Sequence, residues 1–329
     1  MSRYHVYAVG NALVDMEYSV DKDTLQAVGL EKGVMTLVDA EHQNRISGHL
    51  KDHRPHKGAG GSAANTVAAV AQLGGKAFYS CRVAGDPLGG FYVEDLRRVG
   101  VETNPYDESL QGDTGKCLVF VTPDADRTMA TYLGVTGDLS MDALAPDAIR
   151  DAKVLYLEGY LVSSDVGRAT AIEARKIAER AGVKTALTLS DPNMVKYFKP
   201  GLLEMIGGGV DLLFANEAEA LGMADTRDLE AALADLKTLA KEFVVTRGPL
   251  GALIWNGSDL IEAPGVKVEA IDTVGAGDMY AGAFLYGYTH HWDHAKAGDL
   301  AAACAGRLVT AYGPRLDQAT VQEILQEHL

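Results

Sequence analysis

Short apolar runs alternate with helical patterns along most of this chain, and this alternation constrains the fold more than any other feature. For example, the apolar runs 153–157 and 185–189 flank the amphipathic stretch 165–182. Strand–helix–strand units form parallel sheets, and right-handed crossovers place the helices on both faces. The sequence therefore predicts a three-layer α/β/α fold with a mostly parallel central sheet. Further strands are predicted at 4–9, 77–80, 210–214 and 242–246, and further helices at 62–74, 228–240, 276–290, 293–312 and 317–327.

Two regions interrupt the alternation and predict a second, smaller sheet. Residues 33–39 are strand-like but have no neighbouring strand–helix unit, and the strand-like runs 116–121 and 128–133 flank a turn at 123–126. Turn residues between two such runs are typical of an antiparallel hairpin. We therefore expect a small antiparallel sheet that acts as a lid on one domain. The predicted domain spans residues 1–329, and the predicted lid segments are about 12–56 and 100–135.

The charge and the cysteines of the chain narrow its class. There are 30 Lys and Arg against 45 Asp and Glu, a net charge of −15, so the chain lacks the basic face that binds nucleic acid. No apolar run reaches the roughly 20 residues that span a bilayer. Cys81, Cys117 and Cys304 have no metal-binding spacing and suit a reducing compartment. We expect a cytoplasmic protein, monomeric or homodimeric, that binds neither nucleic acid nor membrane.

A glycine-rich turn runs from Asp272 to Asp278 and precedes an apolar helical pattern. Backbone N–H groups at such a turn, here those of Gly275, Ala276 and Gly277, can converge on an anion at a helix start. A carboxylate beside that anion is reasonable if it takes a proton from a substrate hydroxyl while the N–H groups stabilise a transferred phosphoryl group. The alternative is an ordinary turn with Asp278 as a helix N-cap.

Competing phosphate motifs are absent from the sequence. There is no G-x-x-x-x-G-K-[ST] and no G-x-G-x-x-G after the first strand, which argues against a P-loop enzyme and a nicotinamide-dependent oxidoreductase. The segment 272–278, together with Gly-Gly-Ser-Ala-Ala-Asn at 60–65, resembles the two signatures of the ribokinase-like (PfkB) carbohydrate and nucleoside kinases. The resemblance runs over essentially the whole chain. It implies phosphoryl transfer from ATP to a hydroxyl, with Asp278 as the catalytic base; a nucleotide-binding protein without turnover is a further alternative.

The acceptor is expected near the end of the first strand. Asp15 comes soon after this strand, where α/β sheets bind ligands, and its carboxylate could accept hydrogen bonds from a diol; an ordinary turn Asp is the alternative. The resemblance implies that the first signature, with Gly60, Gly61 and Asn65, holds the hydroxyls of a sugar or a ribose. An Asn at that position can make two directional hydrogen bonds to vicinal hydroxyls.

The class of acceptor depends on the segment around Asn11. Residues 10–15 resemble the adenosine kinases of the family, whereas its sugar kinases more often carry other polar residues at the Asn11 position. The resemblance therefore implies transfer to the 5′-hydroxyl of a nucleoside such as adenosine, and a free sugar such as fructose or ribose is the alternative. Leu13, Met35 and Leu133 would supply an apolar pocket for the base, or ordinary core packing.

The resemblance also implies a nucleotide site at the carboxyl ends of further strands. Asn216 and Glu219 match a motif whose Glu organises Mg²⁺ through water, which suits an ion that prefers oxygen ligands and keeps several waters. The same pair also fits a helix capping box. The other residues that the resemblance places at the ATP site are Asp191, Asn193, Thr246, Gly248 and Gly251.

Two further residues complete the predicted site. The resemblance implies that Arg127, in the lid turn, closes over the phosphates, and a guanidinium can bind phosphoryl oxygens in a bidentate manner; a solvated turn Arg is the alternative. The resemblance further implies that Asp272, with nearby backbone carbonyls, could bind a monovalent cation such as K⁺.

Overall fold

The computed structural model describes residues 2–32, 35–50, 53–122 and 127–329, without the side chains of Lys22 and Arg127. In chain order its strands are β1 Tyr4–Val9, β2 Leu13–Ser19, β3 Met35–Leu37, β4 His56–Gly60, β5 Ala77–Ser80, β6 Val101–Thr103, β7 Lys116–Val121, β8 Arg127–Tyr132, β9 Ala152–Glu158, β10 Lys184–Thr188, β11 Val210–Asn216, β12 Ala240–Thr246, β13 Ala252–Trp255 and β14 Leu260–Ala263. The helices are α1 Lys22–Ala27, α2 Ala40–His49, α3 Ser62–Gln72, α4 Pro87–Arg98, α5 Pro146–Arg150, α6 Asp165–Ala181, α7 Pro192–Ile206, α8 Glu217–Met223, α9 Leu229–Leu239, α10 Ala276–Thr289, α11 His294–Leu308 and α12 Gln318–His328.

The large sheet has the strand order β14-β13-β12-β11-β10-β9-β1-β5-β6 within the described residues. The strands from β12 to β6 run parallel, and β13 and β14 extend the sheet as antiparallel strands. Continuous apolar runs form its centre because a parallel sheet is covered on both faces: Val6, Tyr7, Ala8 and Val9 of β1 are fully buried. The predicted α/β architecture is confirmed, and the predicted main-layer elements are present with ends shifted by a few residues.

The small sheet has the strand order β3-β8-β7-β2-β4. It is mixed, so the prediction of an antiparallel sheet was wrong: β2 pairs with β7 and β3 with β8 in parallel, while β2–β4 and β7–β8 are antiparallel. The parallel pairs join strands that are distant in sequence, and a long connection permits either direction. The predicted turn 123–126 and residues 33–34 lie outside the described residues.

Among the described strands that were not predicted, β2, β4 and β6 have local features that explain why. Strand β2 carries Asp15 and Glu17 and is not an apolar run, and β4 contains Gly58 and Gly60, which disfavour strands. Strand β6 is only three residues long and pairs with β5 in the large sheet. The second lid segment, predicted from about residue 100, therefore begins with a strand of the large sheet.

The two faces of the small sheet have different environments. On one face, Tyr18 and Phe120 pack with Leu25 of α1 and Ile46 of α2 in a separate apolar cluster. The other face contributes side chains to a cavity above the large sheet. Among the described residues, no helix is long and apolar enough to cross a membrane.

Candidate active site

A cavity of about 540 Å³ lies between the carboxyl ends of the large-sheet strands and the small sheet. Thr188, Asn216 and Thr246, at the ends of β10, β11 and β12, line its floor. Ligands of open α/β sheets bind at this edge. The small-sheet side of the lining is mostly apolar and consists of Leu13, Asp15, Met35, Leu37, Cys117, Met129, Thr131 and Leu133.

The cavity brings together most of the predicted site residues, although their roles remain predictions. The side chain of Arg127 lies outside the described residues. Gly60, Asn193, Gly251, Asp272 and Ala276 do not line the cavity. Those that do line it are Asn11, Asp15, Gly61, Asn65, Asp191, Asn216, Glu219, Thr246, Gly248, Gly275, Gly277 and Asp278.

Asp278 lies in the first turn of α10, but it is not the N-cap. The N-cap is Gly275, whose φ of 75° lies in the left-handed region that glycine tolerates. The Asp278 carboxylate is half-buried and held from α3: Ser62 Oγ donates to Oδ1 at 2.6 Å, and Asn65 Nδ2 donates to Oδ2 at 3.1 Å. Ser62 was not predicted, although it lies inside the first signature.

The environment of Asp278 suits a proton acceptor. Burial raises the pKa of its carboxyl group, and the hydrogen bonds from Ser62 and Asn65 and the charge of Arg315 act in the opposite direction. A raised pKa strengthens a carboxylate as a base, while the opposing bonds keep it ionised over a wider pH range. The turn before Asp278 contains backbone N–H groups that could bind an anion. The N–H group of Ala276 also donates to Thr273 O, at 3.3 Å.

Glu158 is a buried carboxylate that sequence reasoning missed. It accepts hydrogen bonds from Asn11 N and Nδ2, both at 3.3 Å, and from Ala63 N at 2.9 Å. Burial raises its pKa to about 7. It thus joins the loop after β1 to the first turn of α3. The available signal was a carboxylate at the end of an apolar strand, the same signal that singled out Asp15.

Two buried tyrosines bind the backbone at Asn11 and at Gly60. Tyr79 donates its hydroxyl to Asn11 O at 3.0 Å, and Tyr92 donates to Gly60 O at 2.9 Å. Gly61 has a φ of 98°, and a Cβ there would overlap Asn11 O. The approach of Asn11 and Gly61 therefore requires glycine at position 61.

Asp15 lies on β2 of the small sheet, not in a turn that directly follows β1. A Cβ at Gly60 would overlap the Asp15 carboxylate, so Gly60 leaves the space that this carboxylate fills. Gly60 is therefore required for the position of the Asp15 carboxylate. The carboxylate enters the cavity from the small sheet, opposite the strand ends of the large sheet.

Asn216 and Glu219 form the capping box at the start of α8. Glu219 Oε2 accepts from Asn216 N at 2.9 Å and Oε1 accepts from Asn216 Nδ2 at 2.7 Å. Burial and, to a smaller extent, the nearby charge of Asp191 raise the pKa of Glu219 to about 7, against the hydrogen bond from Asn216 N. Asp191 and Glu219 both line the cavity, and two carboxyl groups of like charge there suit a cation. The lone pairs that remain on Glu219 could accept hydrogen bonds from water bound to such a cation.

Direct metal ligation by side chains alone is not supported in the part of the chain that the structure describes, where no group of three or more His, Cys, Asp or Glu could hold an ion. Glu219 could therefore contact a divalent cation through water, with the remaining ligands supplied by a bound phosphate and by water.

Three of the predicted residues that do not line the cavity have structural contacts of their own. Asp272 is buried and accepts from Val274 N at 3.0 Å and from Gly313 N at 2.8 Å, which joins the glycine turn to the segment before α12. Asn193 N donates to Asp191 Oδ1 at 2.6 Å at the start of α7. Gly251, with a φ of 90°, closes the hairpin between β12 and β13.

Comparisons with known proteins point to one family. Residues 27–320 match the model of the pfkB family carbohydrate kinases, which confirms the resemblance carried by the two signatures. The structure is similar to a probable sugar kinase protein from Rhizobium etli CFN 42, at 35% identity, a TM-score of 0.90 and 99% coverage of both chains.

Two further relatives are named as adenosine kinases. The Sinorhizobium meliloti structure is 35% identical, with a TM-score of 0.89 and coverage of 98% of this chain and 99% of that chain. The Schizophyllum commune protein is 28% identical over 317 residues, which cover 87% of this chain and 89% of its own length.

Proposed function

Because this chain belongs to the pfkB family of carbohydrate kinases, and is therefore a phosphotransferase, we propose that it transfers the γ-phosphoryl group of ATP to the 5′-hydroxyl of a nucleoside. Adenosine is the proposed acceptor. One observation carries the choice of a nucleoside: the cavity combines an apolar wall from the small sheet with a carboxylate, Asp15, that can bind a diol.

The apolar residues of the small sheet favour a base over a free sugar. Leu13, Met35 and Leu133, together with Met129 and Leu37, present their side chains to the cavity. A purine base buries a wide apolar face, whereas a fructose or ribose molecule presents hydroxyl groups on most sides, and apolar lining with few polar groups favours the former. The small sheet would act as the lid, with this wall against the base.

In the proposed reaction, Ser62 and Asn65 hold the Asp278 carboxylate in place. This carboxylate accepts the proton of the attacking hydroxyl. The N–H groups of Gly275, Ala276 and Gly277 would stabilise the charge of the transferred phosphoryl group. Bound Mg²⁺ would neutralise charge on the ATP phosphates, with Glu219 holding one of its waters. We also propose that Asp272 contributes to a K⁺ site, and that Arg127 of the lid closes over the phosphates.

The acceptor class is tested by a substrate panel. With ATP and Mg²⁺, we expect kcat/KM for adenosine to exceed that for fructose and for ribose by at least about 100-fold, because the apolar wall gains contacts only with a base. Coupled measurement of ADP release gives all three values under identical conditions. A preference for either free sugar would overturn the nucleoside assignment and favour a sugar kinase, the description of the Rhizobium etli relative.

The variant Asp15→Ala tests the acceptor side. We expect its KM for the acceptor to rise about tenfold or more, with the KM for ATP nearly unchanged, because a charged hydrogen-bond partner of the ribose hydroxyls is lost. Steady-state kinetics with each substrate varied in turn provide the measurement. Asp23→Ala, an exposed carboxylate of α1 outside the cavity, is the matched control. An effect confined to ATP would place Asp15 on the nucleotide side.

A further inference from the structure

Arg315 lies in the segment before α12 and connects two helices beneath the candidate active site. Its Nε donates to Asn65 Oδ1 of α3 at 2.9 Å, and one terminal nitrogen donates to Asp95 Oδ2 of α4 at 3.0 Å. Only 13% of the Arg315 side chain is exposed. Arg315 does not line the cavity, so its hydrogen bonds reach the site only through other residues, while its charge also acts to lower the pKa of Asp278.

The amide of Asn65 lies between two partners of opposite kind. A guanidinium group can only donate hydrogen bonds, and an ionised carboxylate can only accept them. The atom of Asn65 that faces Arg315 must therefore be the oxygen, and the atom that faces Asp278 must be the nitrogen. The contacts have this arrangement, from Arg315 through Asn65 to Asp278.

We propose that Arg315 is a positioning residue for phosphoryl transfer, which acts by fixing the amide of Asn65 and through it the carboxylate of Asp278. This inference rests on the proposed role of Asp278 as the base. With Arg315 in place, Asn65 Nδ2 and Ser62 Oγ each hold one carboxylate oxygen. The carboxylate then keeps one orientation towards the cavity while the acceptor binds.

Loss of Arg315 would release this arrangement. The Asn65 amide could then rotate and present its oxygen to Asp278, where two acceptors would repel each other. The carboxylate would lose one of its two side-chain donors and adopt several orientations. Since proton transfer needs hydrogen-bond reach and alignment, turnover should fall more than the binding of either substrate.

A purely structural role for Arg315 makes a different prediction. Its ion pair with Asp95 joins α4 to the segment before α12, and loss of that pair alone would lower stability. Asp95→Asn weakens the ion pair but leaves the Nε bond to Asn65 in place. This variant is therefore the matched control, because it separates stability from the orientation of Asn65.

The test is a double-mutant cycle with Arg315→Gln and Asn65→Ala, measured on any acceptor that the enzyme turns over. We expect Arg315→Gln to lower kcat about tenfold or more with the KM for ATP within about twofold, and to add less than about twofold in the Asn65→Ala background. Asp95→Asn should keep kcat within about threefold of the original value, even if its Tm falls as far as the Tm of Arg315→Gln.

Two outcomes would overturn the inference. In the first, the loss of kcat in the double variant equals the product of the losses in the two single variants, which would mean that Arg315 acts independently of Asn65. The other is an equal loss of kcat in Asp95→Asn. If a variant does not fold, Arg315→Met and Asn65→Leu retain side-chain bulk without the donors. Full activity of Asp278→Asn would instead contradict the proposed function, so the two failures are distinguishable.

Discussion

Replacement of Asp278 by Asn should lower kcat by about three powers of ten, because the variant loses the proposed general base and its charge. The carboxamide has nearly the same shape as the carboxylate, and Ser62 Oγ can still donate to its oxygen. The KM for ATP should change little, since Asp278 would act on the acceptor hydroxyl. Single-turnover kinetics with the preferred acceptor, together with ATP binding measured by calorimetry, check both parts.

The control for this prediction is Asp147→Asn, a fully exposed carboxylate of α5 in a surface ion pair. Such pairs contribute little to stability, so this variant should match the original enzyme. Near-normal turnover by Asp278→Asn would show that another group accepts the proton.

Replacement of Gly275 by Ala should lower kcat by about 100-fold, because the turn that carries the proposed N–H donors would have to move. The added Cβ would lie 2.6 Å from Pro314 O and 2.8 Å from Pro314 Cα, both backbone atoms, at a φ of 75°. The left-handed backbone alone costs about 1–2 kcal/mol for a residue with a Cβ. Thermal denaturation should therefore show a lower Tm alongside the kinetic loss.

Two other glycines serve as references for Gly275→Ala. A Cβ at Gly208, far from the cavity, meets nothing within 4 Å, and Gly208→Ala should leave kcat and Tm unchanged. A Cβ at Gly277 also meets nothing within 4 Å, so Gly277→Ala should keep its Tm. If Gly275→Ala retained both kcat and Tm, the close approach to Pro314 would not shape the site.

The main layers could be predicted from the sequence because their signals are local. A strand such as β9 is buried on both faces and reads as an apolar run, and α6 shows its buried face at the helical repeat. The glycines at 61 and 275 were recognisable because each lies in a short motif that precedes a helical pattern. Each adopts a left-handed φ beside another part of the backbone, and the residues that follow begin a helix.

The small sheet was only partly predictable. Strands β7 and β8 are joined by a short connection, and both were recognised in the sequence, whereas β2 and β4 contain charged residues or glycine. The parallel pairing of β2 with β7 joins segments about 100 residues apart, and no local pattern encodes such a partner. Asp15 was consequently expected just past the end of the first strand and lies on a strand of the small sheet instead.

The sequence by itself determined the α/β architecture, the kinase family and the position of Asp278 at a helix start, because each rests on short local patterns, including the two separate signatures of the family. Only the tertiary structure revealed what surrounds Asp278. Ser62 and Asn65 are more than 200 residues away from it in sequence, and Arg315 reaches it through Asn65. Hydrogen bonds and the burial that raises a pKa depend on which side chains meet in space, and the packing of α3 against α10 decided that.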